Sequence, residues 1–326
     1  MQFDLLEFSK GGGCGCKLEP GKLSVLLNQI KQEKDPRILV DFSGNDDAAV
    51  LKLNDVQSLI LTTDFFLPVV GNPYDFGKIA AANALSDVYA MGGTPLTALS
   101  ILAWPQERIP LEIAAQVIEG AVSVCQSAGI VISGGHSIES ADPIFGLSVT
   151  GIVNTEHIKR NNTPRVGDYI QITKPIGLGL LANALKSKKL SEEGYHYLLS
   201  FASKLNLEGI ELAKIPTVSA MTDVTGFGLL GHLKEMLGNK CAAEIFLSEI
   251  PVFDEAKKHA MDMLYPNITT SNYNHVKDIC KGLDGLEFLW LCDPQTGGGL
   301  MFTTSEPIEG FPIIGRVLSG EGIVVS

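Results

Sequence analysis

The segment Gly11-Gly12-Gly13-Cys14-Gly15-Cys16-Lys17 places two thiols and an amine within four residues, directly after a run of glycine. The thiolate is the nucleophilic form of cysteine, and a nearby ammonium makes it easier to form. Glycine leaves the backbone free to swing such a group over a substrate. The pattern reads as a mobile catalytic arm, and its composition alone reads equally as a linker that happens to hold cysteine. Two other chemistries fit badly. A phosphate loop would need glycine before Lys17 and a hydroxyl residue after it, where this chain has Cys16 and Leu18. A zinc site would need a second Cys/His pair at ligand spacing, and none follows. Cys14 and Cys16 lie two apart, so position alone does not choose between them, although Cys14 has glycine on both sides and the freer backbone.

A second set of chemical groups is acidic. Asp46-Asp47 precedes the apolar run AAVL, Asp64 follows LILTT, Asp87 lies in an alanine-rich stretch, and Asp223 follows VSAMT. Their neighbours are mostly apolar or small. Buried carboxylates without a basic partner repel one another unless a cation compensates them. Singly, each reads as well as a cap or a structural hydrogen bond. Together they read as an oxygen-only site for Mg²⁺ or Mn²⁺. The runs Gly134-Gly135-His136-Ser137 and Thr225-Gly226-Phe227-Gly228 read as glycine turns that offer N–H groups to phosphate. Gly177-Leu178-Gly179 through Ala182 matches a dinucleotide fingerprint in form, but no second strand ending in an acid follows.

The elements that must carry these groups follow from periodicity and turn signals. Strands are expected at 48–53, 58–63, 96–103, 130–133 and 145–153, with helices at 75–91 and 111–128. The polar stretch 154–168 is the expected domain junction. Beyond it come a strand at 169–173, a helix after Gly179, helices at 192–204 and 207–213, a strand at 217–221 and a helix at 229–237. The interleaving is irregular, so the expected fold class is α+β with mixed sheets. The expected division is an arm over 1–20, an N-terminal domain over 21–155 and a C-terminal domain over 156–326.

The hydrophobic share of 45% excludes wholesale disorder. A formal charge of −12 leaves no basic field for nucleic acid, so no nucleic-acid partner is expected. Such a chain still binds ATP if divalent ions sit between carboxylates and phosphates. The charge-free windows 88–106 and 120–138 are broken by glycine or proline, so no membrane span is expected. Asp4 and Glu7 stand where a secretory leader needs a basic start, which points to a cytoplasmic location with reduced cysteines.

The chain resembles the selenide, water dikinases, or selenophosphate synthases. The matching words are GGGCGCK at 11–17, NDDAAV at 45–50, TTDFFLPVV at 62–70, NPYDFGKIAAANALSDVYAMGG at 72–93, GGHSI at 134–138, PIFGLSVTGIV at 143–153, MTDVTGFGLLGHL at 221–233 and CDPQTGGGL at 292–300. The chain departs from the family wording at Gly297, where relatives usually carry serine, and over 267–274, which lacks a glycine-rich segment with arginine. The resemblance implies a two-domain aminoimidazole ribonucleotide synthetase-like fold whose N-terminal domain forms the dimer interface. It implies the reaction ATP + selenide + water → selenophosphate + AMP + phosphate, with Mg²⁺ as cofactor and K⁺ as activator. Carried over by position, Cys14 is catalytic, and Lys17 is catalytic and touches ATP. Asp47, Asp87 and Asp223 bind metal. Gly44, Asn45, Asp46, Asp64 and Asp87 contact the nucleotide. Gly135, His136 and Ser137 reach ATP held by the partner of a homodimer. Relatives often carry selenocysteine at the position of Cys14, which favours it over Cys16. Competing readings are another ATP-dependent member of the superfamily, such as a thiamine-monophosphate kinase, and a nucleotide or selenium binder without turnover.

Overall fold

The computed structural model describes residues 3–8, 12–13 and 35–326; Cys14, Cys16 and Lys17 of the expected arm lie outside the described residues. The first sheet comprises β1 (Ile38–Val40), β2 (Ala49–Lys52), β3 (Gln57–Phe66), β4 (Thr94–Trp104), β5 (Ile132–Glu139) and β6 (Ile144–Asn154). Their spatial order is β1-β2-β3-β6-β4-β5, antiparallel except for the parallel pair β4/β5. Two helices cover one face of it, α1 (Pro73–Ala90) and α2 (Leu111–Ser127).

The helix α1 starts at Asn72, whose side chain accepts from the Asp75 N–H at 3.0 Å, with Pro73 in the first turn. It ends before Gly92, whose φ of +80° suits the left-handed exit from a helix. Its alanines and glycine bury it almost all round, sheet on one side and α2 on the other. A Cβ at Gly77 would lie 1.8 Å from the Val117 carbonyl, and one at Gly120 would lie 1.9 Å from that of Tyr74. The two helices therefore meet backbone to backbone, and neither glycine tolerates a side chain.

The second sheet comprises β7 (Tyr169–Ile172), β8 (Val218–Asp223), β9 (Ala242–Ile245), β10 (Cys280–Lys281), β11 (Leu300–Thr304), β12 (Ile313–Leu318) and β13 (Gly322–Val325). Its order is β10-β13-β9-β12-β7-β11-β8, with β13 parallel to both β9 and β10 and the other pairs antiparallel. Around it lie α3 (Leu178–Lys186), α4 (Glu192–Ala202), α5 (Glu208–Lys214), α6 (Gly228–Leu237), α7 (Asp254–Met261), α8 (Asn267–Val276) and α9 (Phe288–Leu291). Both sheets are mixed and the class is α+β, as expected. None of the described helices is long and apolar enough to cross a membrane.

Two local expectations differ. The strand expected to close at 63 runs on to Phe66, so Asp64 lies inside β3. The supposed turn at 134–137 is part of β5. There Gly135 allows close approach, since a Cβ would stand 2.2 Å from the Ser100 carbonyl of β4. The two sheets are joined by an apolar cluster of Ala90, Leu212, Ala213, Val218, Met221, Leu300 and Phe302. This cluster seats the end of α1 against β8 and β11, and so fixes where Asp87 meets Asp223.

Candidate active site

Three elements deliver the acids. Asp47 stands two residues before β2, Asp87 lies in the last turn of α1, and Asp223 ends β8. One carboxylate oxygen from each lies within 4.8 Å of the others. Asp87 and Asp223 are buried, and Asp47 is half-buried as a residue while its Oδ2 is sealed from solvent. Their hydroxyl neighbours orient them. Thr222 Oγ1 donates to Asp47 Oδ1 at 2.6 Å, and Thr62 Oγ1 donates to Asp87 Oδ2.

Of the other expected nucleotide contacts, Asp46 and Asp64 lie close enough to act on this trio electrostatically. In β3, alternation turns Thr62 and Asp64 toward α1, and Leu61, Thr63 and Phe65 toward the open face. Asp64 Oδ2 accepts from Asn83 Nδ2 at 2.6 Å. Gly44, Asn45 and Asp46 form a loop pinned by the polar junction. Asn161 N–H donates to Asp46 Oδ1 at 2.8 Å, Asn161 Nδ2 to the Asn45 carbonyl at 2.5 Å, and Asn162 Nδ2 to that of Gly44 at 3.3 Å. Asn45 itself holds a left-handed φ of 52°.

Electrostatics set the chemistry. Burial, reinforced by Asp64, Asp223 and Asp47, holds the Asp87 carboxyl well above the usual range. Burial and then Asp223 do the same to Asp47, against the Thr222 hydroxyl. Asp46 is raised by burial and opposed by the Asn161 N–H and Arg160. Asp47 Oδ2 has no hydrogen-bond partner among the described residues. An orphaned oxygen in an all-oxygen cluster of like charge fits a hard divalent cation, which would satisfy the oxygen and cancel the repulsion. The residues present therefore fit Mg²⁺.

Gly135, His136 and Ser137 are not brought to this cluster within one chain. They lie on the edge strand β5, separated from Asp64 by three strand spacings, about 14 Å in all. Phe65, Gly146, Ile101 and His136 share one row across the sheet, which places His136 with the open face. Of the expected arm, Gly12 and Gly13 lie beside the segment that follows β3. The Gly13 N–H donates to the Leu67 carbonyl at 2.9 Å, and Gly13 lies against Thr296.

Sequence reasoning missed Thr62, Asn83, Asn161 and Thr222. Asn83 alone left a trace, a buried amide one turn before Asp87 in a run of alanine. The dinucleotide look-alike has a different use. The α3 N–H groups of Gly179 and Leu180 donate to Asp293 Oδ2 at 2.9 and 3.1 Å, and those of Gly177 and Leu178 to Gln295 Oε1 at 3.0 Å. The chain's own side chains occupy that helix terminus.

Comparison with known proteins supplies the family. Residues 45–153 match the AIR synthase related protein, N-terminal domain, and residues 165–306 the corresponding C-terminal domain. Over 307 residues the chain is 46% identical to the selenide, water dikinase of Shewanella baltica (strain OS223), covering 94% of this chain and 87% of that protein. A solved structure of AaThiL complexed with AMPPCP and TMP has a TM-score of 0.68 at 22% identity, covering 94% of this chain and 92% of that one. The thiamine monophosphate kinase from Aquifex aeolicus gives a TM-score of 0.63 at 22% identity over 82% and 87%. The two structural likenesses speak to the fold alone.

Proposed function

The chain belongs to the selenide, water dikinase family, and from that premise we propose how its own residues perform the reaction. The enzyme is a phosphotransferase that makes selenophosphate from selenide, ATP and water. ATP is its substrate, and a divalent metal such as Mg²⁺ is its cofactor. The observation that carries the site assignment is the meeting of Asp47, Asp87 and Asp223 from both sheet units within 4.8 Å.

In this reading Asp47, Asp87 and Asp223 hold Mg²⁺, and Gly44, Asn45, Asp46 and Asp64 position the nucleotide beside them, with Asp87 serving both. Bound there, Mg²⁺ supplies positive charge to the polyphosphate as its phosphoryl groups transfer. Release of AMP and phosphate alongside selenophosphate means that two phosphoanhydride bonds are broken in each turnover. Thr62 and Thr222 hold the carboxylates in place, so little reorganisation accompanies that charge shift.

Cys14 is assigned as the nucleophilic or selenium-holding thiol. Lys17 is assigned as the cation that lowers the thiol pKa and meets phosphate. The position of Gly13 supports this. It sits against Thr296, whose neighbour Gly297 donates its N–H to Asn83 Oδ1 at 2.9 Å, and Asn83 holds Asp64. K⁺ is assigned as an activator on the family resemblance.

A homodimer is the proposed assembly, with Gly135, His136 and Ser137 acting on ATP bound by the partner. The support is the face of the first sheet opposite α1 and α2, where Leu61, Phe65, Leu99 and Ile138 are exposed together. Phosphorus NMR of ATP with and without selenide tests the function. Selenophosphate and AMP that appear only with selenide are expected. ADP formed with another acceptor, or unchanged ATP, overturns the reading.

A further inference from the structure

Lys174, just after β7, is 3% exposed and has no carboxylate partner within 4.0 Å among the described residues. Its Nζ faces four backbone carbonyl oxygens instead: Lys204 at 2.7 Å, Gly297 at 3.0 Å, Phe201 at 3.2 Å and Gly298 at 3.3 Å. Phe201 lies in the last turn of α4 and Lys204 just past its C-terminal end, where the helix dipole favours a cation. The other two belong to the glycine loop before β11. Burial pushes the ammonium down to about 7, with Lys204 acting the same way and Glu208 and Asp223 opposing. The carbonyl shell replaces the water that the charge has lost.

The loop gripped by Lys174 reaches both halves of the acid cluster. Gly297 N–H donates to Asn83 Oδ1 at 2.9 Å, and Asn83 Nδ2 donates to Asp64 Oδ2 at 2.6 Å. Asn206 Nδ2 joins the Gly298 carbonyl to Ser86 Oγ at 2.9 and 2.8 Å. The Gly299 carbonyl accepts from the N–H of Val224, the residue after Asp223, at 2.8 Å.

We propose that Lys174 is a positioning residue whose ammonium serves as a built-in monovalent cation, locking the 297–299 loop so that Asp64 and Asp223 stay at metal- and nucleotide-binding spacing. The inference rests on the acid-cluster reading above and adds to it a residue that touches neither metal nor substrate.

The test is Mn²⁺ binding to the full chain, followed by electron paramagnetic resonance with a non-hydrolysable ATP analogue, alongside thermal unfolding. Lys174→Met should remain folded and weaken Mn²⁺ binding about 10–100-fold, the usual cost of losing an outer-shell support. Lys174→Ala should regain Mn²⁺ affinity when ethylammonium is added. A folded Lys174→Met that binds Mn²⁺ as the wild type does overturns the inference, as does ethylammonium that restores stability without affinity. If Lys174→Met does not fold, Asn83→Ala decides, because it cuts the link to Asp64 with Lys174 intact. It should weaken binding similarly, and unchanged binding overturns the inference. The acid-cluster reading fails separately, if the wild type does not bind Mn²⁺ or if Asp223→Asn binds it normally.

Discussion

Replacing Asp47 by asparagine should raise the stability of the metal-free protein while abolishing its chemistry. The side chain keeps its shape, and its Oδ1 can still accept from Thr222 Oγ1, which lies 2.6 Å from it in the native chain. What disappears is one of three negative charges whose oxygens lie within 4.8 Å. At that spacing and an effective dielectric near 20, each pair of ionised carboxylates repels by about 3.5 kcal/mol. A carboxyl evades such a field by keeping its proton. That limits the penalty at pH 7.5 to about 5 kcal/mol, the cost of staying protonated roughly 3.6 pH units above an ordinary aspartate. Asparagine still buries a polar amide, so a net gain of about 1–3 kcal/mol is expected, or roughly 3–10 °C in a domain of this size. Thermal unfolding in chelator should show the variant above the wild type. Added Mg²⁺ should lift the wild type and leave the variant where it was. Phosphorus NMR should show no ATP consumption by the variant. A variant less stable than the wild type in chelator, or one with near-normal turnover at ordinary Mg²⁺, would refute the reasoning.

The raised Asp47 and Asp87 carboxyls make the native chain bind more protons than the unfolded one, so metal-free stability should fall as pH rises from about 5 to 8. Mg²⁺ should flatten that slope, and a chelated protein that grows more stable over this range would contradict it. Cys14→Ser should eliminate selenophosphate formation and Cys16→Ser should keep substantial activity, because a serine hydroxyl stays protonated near neutral pH; both should bind Mg–ATP, and the reverse ranking moves the role to Cys16. Phe65→Glu with Leu99→Glu, both on the exposed sheet face, should give monomers in light scattering and lose activity together. An active wild-type monomer would undo the shared-site proposal.

Much of the site was legible because its acids break local rules. Asp87 interrupts an apolar helix, and Asp47 and Asp223 sit at strand ends among small residues. Their element types were readable from periodicity. Their meeting was not, because the Thr222–Asp47 bond joins residues 175 apart and depends on how α1 seats against β8. Asp64 was placed at the end of its strand because LILTT stops being apolar there, whereas the ladder to β6 carries the strand on to Phe66. Local glycine content made Gly134–Ser137 look like a turn, when those glycines serve a close pairing with β4. Lys174 was unreadable for a different reason. Before Pro175 it looks like any surface lysine, and its acceptors are carbonyls, which carry no residue signature.

The departure at Gly297 belongs with that lysine. The residue holds φ at +69°, and a Cβ there would lie 2.0 Å from the Ala202 carbonyl. A serine would have to leave the left-handed region or push back the end of α4, at a cost of order 1–3 kcal/mol for the backbone alone. The first movement displaces the Gly297 and Gly298 carbonyls and the second the Phe201 and Lys204 carbonyls, and all four belong to the shell around the ammonium. Glycine at 297 and lysine at 174 thus serve one contact. One permits the loop to touch α4, and the other supplies the charge that makes the contact favourable.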